Sequence, residues 1–358
     1  MTHIDDIGAR EQLAIRPASK LVRLFRVLSE GLVYGASYAA PNYFSHSVEP
    51  IDPDRVWQFF ARKRASPIQA FIDHYPLAAQ RRHLIAQFLS QSYAKGIEYH
   101  YNVSNDFYEL FLDRRFMFYS CADFHSPTDT IEQAQLNKAN HILSLLDPKP
   151  GEKIIELGCG WGSMLRHIQA SIGDSANLYG ITLSRDQVSY IRDKFGFNIL
   201  LNDFVSVDYG VETYDKIYSI GSLEHVRPDD ILPLYKKLHA ALKLGGRAIL
   251  HFFSLNGTDR VPTSQLGAQV FFPGSILSLH SDHLAHAKEA GFTLTHSSEH
   301  DYRPTLRTWF DRLVENRCKA HALVGTQVVN KYLTFFASSW SFFNLKKATV
   351  RRLVLMKN

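Results

Sequence analysis

Cysteine is scarce in this chain: there are three in 358 residues, Cys121, Cys159 and Cys318, all far apart. That excludes a disulfide framework and any CxxC metal site, and it suits a reducing compartment. There is also no uncharged apolar run of the ~18 residues that a membrane-spanning helix needs. The first twenty residues carry Asp5, Asp6, Arg10, Glu11 and Arg16 with no apolar stretch, so a secretory leader is not expected. Neither sign of charge dominates. Lys and Arg number 40 against 35 Asp and Glu, a net charge of +5, without the steep basic excess or concentrated stripe of a nucleic-acid binder. The expectation is a cytoplasmic protein with no nucleic-acid partner and no resident metal. An anionic membrane surface stays open as a partner.

Aromatic residues, by contrast, are plentiful. With 24 Phe, 17 Tyr and 4 Trp, they make up 13% of the chain, more than core packing alone calls for. Hydrophobic residues at 45% and charged residues at 21% are ordinary for a globular chain, and the length fits one large domain or two ordinary ones.

Residues 1–90 read as a helical N-terminal region that contacts a membrane or a partner. Leu21, Leu24, Phe25 and Leu28 recur at helical spacing, with Lys20, Arg23 and Arg26 between them. A loop rich in Tyr, Pro and Ser is expected around Tyr38–Pro53. A second helical stretch carries Arg62, Lys63, Arg64 and then Arg81 and Arg82. Basic amphipathic helices can lie on lipid headgroups, although a solvated face on a small bundle explains the same pattern.

From residue 150 strands and helices alternate. Strands are expected at Lys153–Gly158, Asn177–Ser184, Asn198–Asp203, Tyr214–Ser222 and Arg247–Leu255. Helices are expected at Ser184–Phe195 and at Asp229–Leu244, the latter closed by Gly245-Gly246. A helix at His280–Ala290 and a strand at Thr293–His300 follow. A long helical stretch, Thr305 to about Asn344, then precedes a last strand, Thr349–Met356. This order predicts an α/β fold with a doubly wound, mostly parallel seven-stranded sheet and a helical insertion before the last strand.

The central motif is Glu156-Leu-Gly158-Cys-Gly160-Trp-Gly162, a strand running into a glycine turn that opens a helix. Glycines let a ligand approach the backbone, and a helix N-terminus adds exposed N–H groups. A dinucleotide fingerprint would need glycine where Ser163 stands, and a P-loop would need Gly-Lys-Ser/Thr. An acidic residue followed by three alternating glycines resembles the S-adenosylmethionine site of Rossmann-like methyltransferases. Beyond it, Thr182-Leu183-Ser184 with Gln187 stands where many such enzymes place a ribose-binding carboxylate, and Ser184 also reads as a helix N-cap. Asp203 suits adenine recognition or a plain loop carboxylate.

Around this turn lie His100-Tyr101-Asn102, Tyr119-Ser120-Cys121, Glu224-His225-Val226, His251, Phe272-Pro273-Gly274 and Asp301-Tyr302. In this order they resemble the cyclopropane-fatty-acid synthase family, which includes the mycolic acid methyltransferases, from about residue 95 to the end. The family's first motif reads His-Tyr-Asp where this chain has Asn102. The resemblance implies a Rossmann-like class I catalytic domain over 91–358, with S-adenosyl-L-methionine as co-substrate. It places a bicarbonate ion on Cys121, Glu224, His251 and Tyr302. It puts Tyr119 and Ser120 at the cofactor carboxylate, with Gly158, Gly160, Thr182, Gln187 and Ile220 around the rest.

The reaction implied is addition of a methylene to a cis double bond of an unsaturated acyl chain. The sulfonium methyl is attacked by the alkene, and a carbocation in a dry pocket then loses a proton. Aromatic faces would steady the cation and line a lipid-sized channel, drawn from Tyr99–Tyr119 and Phe310–Phe343. The expected partner is a phospholipid acyl chain at a membrane surface, with a homodimer also open. Three rivals stand beside this reading: a methyl-branching or hydroxylating relative, a small-molecule N- or O-methyltransferase, and a membrane-associated S-adenosylmethionine sensor. The N-terminal region departs from the family pattern. Thr263–Gln269 replaces its Pro-Trp-Ile run, which leaves chain preference open, and Thr349-Val-Arg-Arg replaces its Leu-Trp-Gln. The His280, His283, His286 series reads as a surface or packing feature.

Overall fold

The computed structural model describes residues 20–62, 74–89 and 104–358. His100–Asn102, Lys63, Arg64 and the side chains of Leu21 and Leu24 lie outside that description.

The N-terminal helices are α1 (Lys20–Tyr34), α2 (Ala36–Ser45), α3 (Pro53–Ala61) and α4 (Ala78–Leu89). The expected loop at Tyr38–Pro53 is thus half helix. α2 carries Pro41 inside it, and burial of Ala39, Pro41, Asn42 and Ser45 outweighs the poor local propensity. The apolar stripe of α1 is not buried, since Phe25 is 77% and Leu32 72% exposed. Arg81 is no surface cation either. Its guanidinium is buried and donates to the carbonyls of His74, Pro76 and Val261 and to Asp259. Arg62 and Arg82 remain exposed.

A short helix, α5 (Asn105–Glu109), and α6 (Ile131–Leu146) lead into the sheet. Its parallel strands are β1 (Ile154–Leu157), β2 (Leu178–Thr182), β3 (Asn198–Leu201), β4 (Tyr214–Ile220) and β5 (Leu242–Leu255). The helices among them are α7 (Ser163–Ile172), α8 (Arg185–Phe195) and α9 (Pro228–Ala241). Then come α10 (Thr263–Ala268), α11 (His280–Glu289) and β6 (Thr293–His300). α12 (Arg303–Glu315) and α13 (Arg317–Asn344) precede β7 (Ala348–Met356). The sheet has seven strands in the order β3-β2-β1-β4-β5-β7-β6, with β7 antiparallel to both neighbours. The order reverses between β1 and β4, which opens a crevice at their C-terminal ends, where ligands of such sheets bind.

Side chains alternate across the strands, so both faces are packed. Ile155, Ile217 and Leu250 meet Ile231, Leu234 and Leu238 of α9 on one side. Ile154, Tyr218 and Ile249 meet Ile142 of α6, Met164 and Ile168 of α7 and Ile191 of α8 on the other. Two boundaries differ from expectation. α9 stops at Ala241, because Leu242 already pairs with Tyr214 and Gly245 donates its N–H to Lys357 O; Gly245-Gly246 therefore bends a strand rather than ending a helix. The long insertion is two helices, and the second is kinked where Gly325 takes φ 76° and ψ 166°.

One buried charge cluster ties the segment before α6 to the far side of the sheet. Arg352 of β7 donates to both oxygens of Asp123 at 2.9 and 3.1 Å, and His300 Nδ1 lies 2.9 Å from the same carboxylate. The two partners' side chains are 0% and 4% exposed. These contacts hold the Asp123 carboxyl far below the usual aspartate range despite its burial. Arg352→Leu leaves that carboxylate without its guanidinium, and urea unfolding at pH 7 should show a loss of about 3–5 kcal/mol. The stability that Asp123 contributes is present above the unfolded aspartate pKa of about 4 and is lost as pH falls below it, so the gap between wild type and Asp123→Asn should narrow towards acid.

Candidate active site

β1 ends in Leu157, and the chain turns through Gly158, Gly160 and Gly162, with φ of 74°, 51° and 76°, before α7 begins. Side chains are disfavoured at such angles. At Gly158 there is also no room, since a Cβ would come within 2.6 Å of Ser222 Cβ. A Cβ on Gly160 would meet nothing within 4 Å, because that glycine faces open space. The space is a cavity of about 300 Å³ at the β1/β4 reversal.

The cavity gathers most of the residues expected at a cofactor. Tyr119, Ser120, Glu156, Gly158, Gly160, Thr182, Leu183, Gln187 and Ile220 all line it. Gly162 and Asp203 do not. Gly162 caps α7 with Ile191 packed against it, and the Asp203 carboxylate accepts from Val205 N while its neighbours Asn202 and Phe204 reach the cavity. Thr182 donates to Gln187 Oε1 at 2.6 Å, and Ser184 caps α8 by accepting from Gln187 N. Burial raises the Glu156 carboxyl to about 8, although Tyr218 donates to it at 2.8 Å. Sequence reasoning missed several walls of the cavity: Phe116, Met117, Phe118, Trp161, Ser222 and His225. Trp161 and His225 stand inside motifs already singled out. Met117, at φ 54°, has a strained backbone that no sequence pattern announces.

None of the four expected bicarbonate ligands lines this cavity; they stand on separate elements, three of them next in chain or register to its wall residues Ser120, Ile220 and His225. Glu224 sits in the short turn Leu223–His225 after β4, where Gly221 N donates to His251 O at 2.8 Å. His251 of β5 pairs with Ile220 in register, and its ring lies 5.4 Å from that of His300. Tyr302 follows β6, and Cys121 Sγ is 3.6 Å from the carbonyl of Asp301 next to it. Glu224 Oε2 and both ring nitrogens of His251 are buried with no hydrogen-bond partner among the described residues. Burial raises Glu224 to about 8 and pushes His251 well below its usual value, so both are neutral at pH 7. Burial also pushes the Cys121 thiol far up, which leaves it protonated and no nucleophile.

Phe116, Phe118, Tyr119 and Trp161 line the cavity, but many of the other described aromatic residues fill space instead. Phe107, Tyr108, Phe111, Trp309, Phe310, Tyr332 and Phe336 are buried against one another, and the Tyr108 and Tyr332 hydroxyls are 2.8 Å apart. These described residues of the expected channel walls form a solid block behind the cavity, joined to it where Tyr119 packs on Tyr108 and Trp309, while Tyr99 and Tyr101 lie outside the described residues. His283 is likewise a packing residue, buried and bonded to the Tyr235 hydroxyl at 2.9 Å.

A family model described as mycolic acid cyclopropane synthetase matches residues 89–353. The chain belongs to the mycolic acid cyclopropane synthetase family. By family and fold it is an S-adenosylmethionine-dependent methyltransferase. A curated relative, a probable fatty acid methyltransferase of Pseudomonas putida, is 33% identical over 68% of this chain, which spans only 64% of that protein's length. The solved structure of the cyclopropane synthase MmaA2 from Mycobacterium tuberculosis matches 73% of this chain and 97% of its own, at 27% identity and a TM-score of 0.68. That of the mycolic acid cyclopropane synthase CmaA1, complexed with S-adenosylhomocysteine and CTAB, matches 75% and 99% at 26% identity and a TM-score of 0.67.

For this family member the glycine geometry sets a test. Gly160→Ala costs only the left-handed backbone penalty of about 1–2 kcal/mol but puts a methyl group into the cavity. It should fold, yet lose most of the rise in melting temperature that S-adenosylhomocysteine gives the wild type. Gly158→Ala should destabilise the protein with or without that ligand.

Proposed function

We propose that this enzyme transfers a methylene from S-adenosyl-L-methionine to a cis double bond of an unsaturated phospholipid acyl chain, closing a cyclopropane ring. The observation that carries this reading is the glycine-walled cavity together with two buried, unsatisfied polar groups, Glu224 and His251, each adjacent in chain or register to a residue of its wall. Unpaired groups of this kind are costly unless a ligand completes them.

In this reading the glycine turn and the Thr182–Gln187 pair seat the nucleoside, and Glu156 faces the cofactor's ammonium group. The sulfonium methyl is electrophilic enough for a neutral alkene to attack, so the protein need only align the two and exclude water. The buried ring block around Tyr119 and Trp309 supplies a dry, quadrupole-rich wall for the carbocation. The residues present fit a small oxyanion. A neutral Glu224 donates O–H, a neutral His251 donates one ring N–H, and both stand on elements that meet at the C-terminal ends of β4 and β5. Cys121 and Tyr302 complete the enclosure. A bicarbonate bound there supplies the proton acceptor that ring closure requires. Presentation of the lipid at a cytoplasmic membrane surface is supported by exposed Phe25, Leu28 and Leu32 on α1 and by exposed Arg62 and Arg82. No helix among the described residues is long and apolar enough to cross a membrane.

Incubation with methyl-labelled S-adenosylmethionine and vesicles of cis-unsaturated phospholipid, followed by mass spectrometry, tests the reading. The expected product gains one methylene and loses its double bond; a methyl-branched alkene would assign the methyl-transferring outcome instead. Glu224→Ala and His251→Ala should each lower turnover at least about a hundredfold while S-adenosylhomocysteine binding is kept. Because burial raises Glu224 to about 8, its donor proton is present below that pH. kcat at saturating cofactor should therefore fall as pH rises through about 8.

A further inference from the structure

Lys138 lies on α6, where the helical face Ile131, Ala134, Gln135, Lys138, Ile142 turns inward. It is completely buried, as is Gln135. Its Nζ donates to Ser120 Oγ at 2.8 Å and lies 4.1 Å from the centre of the Phe118 ring. That hydroxyl is its one hydrogen-bond partner among the described residues, and no carboxylate stands within ion-pairing distance. Asp113 spends its oxygens on the N–H groups of Phe116 and Phe118, and Asp123 spends its own on Arg352 and His300. Burial accordingly pushes the Lys138 ammonium down to about 7. A buried cation with a single neutral partner is expensive to keep.

Ser120, unlike Lys138, reaches the cavity. It is held firmly there. Gln135 Nε2 donates to Ser120 O at 3.1 Å, and the Ser120 side chain packs so closely on Gly221 that a Cβ there would come within 2.8 Å. An Oγ that accepts from an ammonium turns its own proton outward, toward whatever occupies the cavity. The Lys138–Ser120 pair is thus a donor backed by a full charge. Arg185, a cation that does line the wall, is exposed to solvent.

We propose that Lys138 is the positioning residue for the cofactor's α-carboxylate, acting through Ser120 as a buried counter-charge. The proposal rests on the reading of this cavity as the S-adenosylmethionine site. Lys138 touches neither cofactor nor lipid. It polarises the hydroxyl that does, and the arriving carboxylate supplies the negative charge that the folded protein leaves out. It should therefore add to affinity for ligands that carry the amino-acid moiety and to no others.

The test compares two ligands by calorimetry on the full chain: S-adenosylhomocysteine, and 5′-methylthioadenosine, which lacks the amino-acid moiety. Lys138→Met removes the charge at similar volume. It should bind S-adenosylhomocysteine about ten- to a hundredfold more weakly and methylthioadenosine as the wild type does. Ser120→Ala should show the same selectivity, and the double variant should be no worse than the poorer single one. The proposal is overturned if Lys138→Met binds S-adenosylhomocysteine like the wild type, if both ligands weaken together, or if the two substitutions add independently. Failure of the wild type to bind S-adenosylhomocysteine at all would instead remove the cofactor reading beneath it.

Discussion

The carboxylate of Asp123 holds the site together. It sits just beyond Tyr119-Ser120-Cys121 and is gripped by Arg352 from β7 and His300 from β6. That grip joins the bonds of Gln135 and Lys138 to Ser120 and of Ala122 N to Thr305 in anchoring the Tyr-Ser-Cys segment. So held, the segment lies across the ends of β4 and β5, Ser120 against Gly221 and Cys121 against Asp301. The antiparallel β7 thus has a role beyond completing the sheet, because it carries the cation that fixes the roof of the cavity. Arg352 lies directly opposite His251 in the β5–β7 register, so one strand pair supports both the Tyr-Ser-Cys segment and the buried imidazole.

Electrostatics divides the site into two regions by desolvation. Glu156, Glu224 and His251 are all buried and carry no net charge at neutral pH in the unliganded protein. Asp123 stays ionised because a hydrogen bond to His300 and the Arg352 guanidinium outweigh its burial. On the proposed reading, walls that neither hydrate a carbocation nor trap it with a permanent anion would favour the reaction.

Much of this was legible in the sequence, and for a physical reason. Buried parallel strands are short apolar runs, and the glycine turn needs left-handed backbone at fixed spacing. The mostly parallel sheet and the glycine turn followed from those two facts, whereas cavity walls such as Tyr119, Ser120 and Ile220 were expected only from the family resemblance. What stayed hidden depended on contacts across long sequence separations. Nothing local marks Arg81 as buried, because its acceptors Val261 and Asp259 lie some 180 residues away. Nothing local distinguishes rings that line a channel from rings that fill a core; only the mutual packing of Tyr108, Phe111, Tyr332 and Phe336 does so. Gly245-Gly246 read as a helix stop because glycine pairs usually are, whereas a bond from Lys357 makes them a bend in β5. Lys138 left a faint signal, one cation on an otherwise inward-facing helical stripe.

The contact between Gly158 and Ser222 has a consequence for how the gene can change. Ser222 Oγ donates to Leu157 O and bonds with Ser219, so it fastens the end of β4 to the end of β1 across the crevice. Any side chain at 158 would displace it, and a larger residue at 222 would press on 158. The coupling is one-sided: 222 can shrink with 158 unchanged, losing its bond to β1, but a side chain at 158 has room only once 222 has given up its own, so the contact sets the order in which the two codons can change.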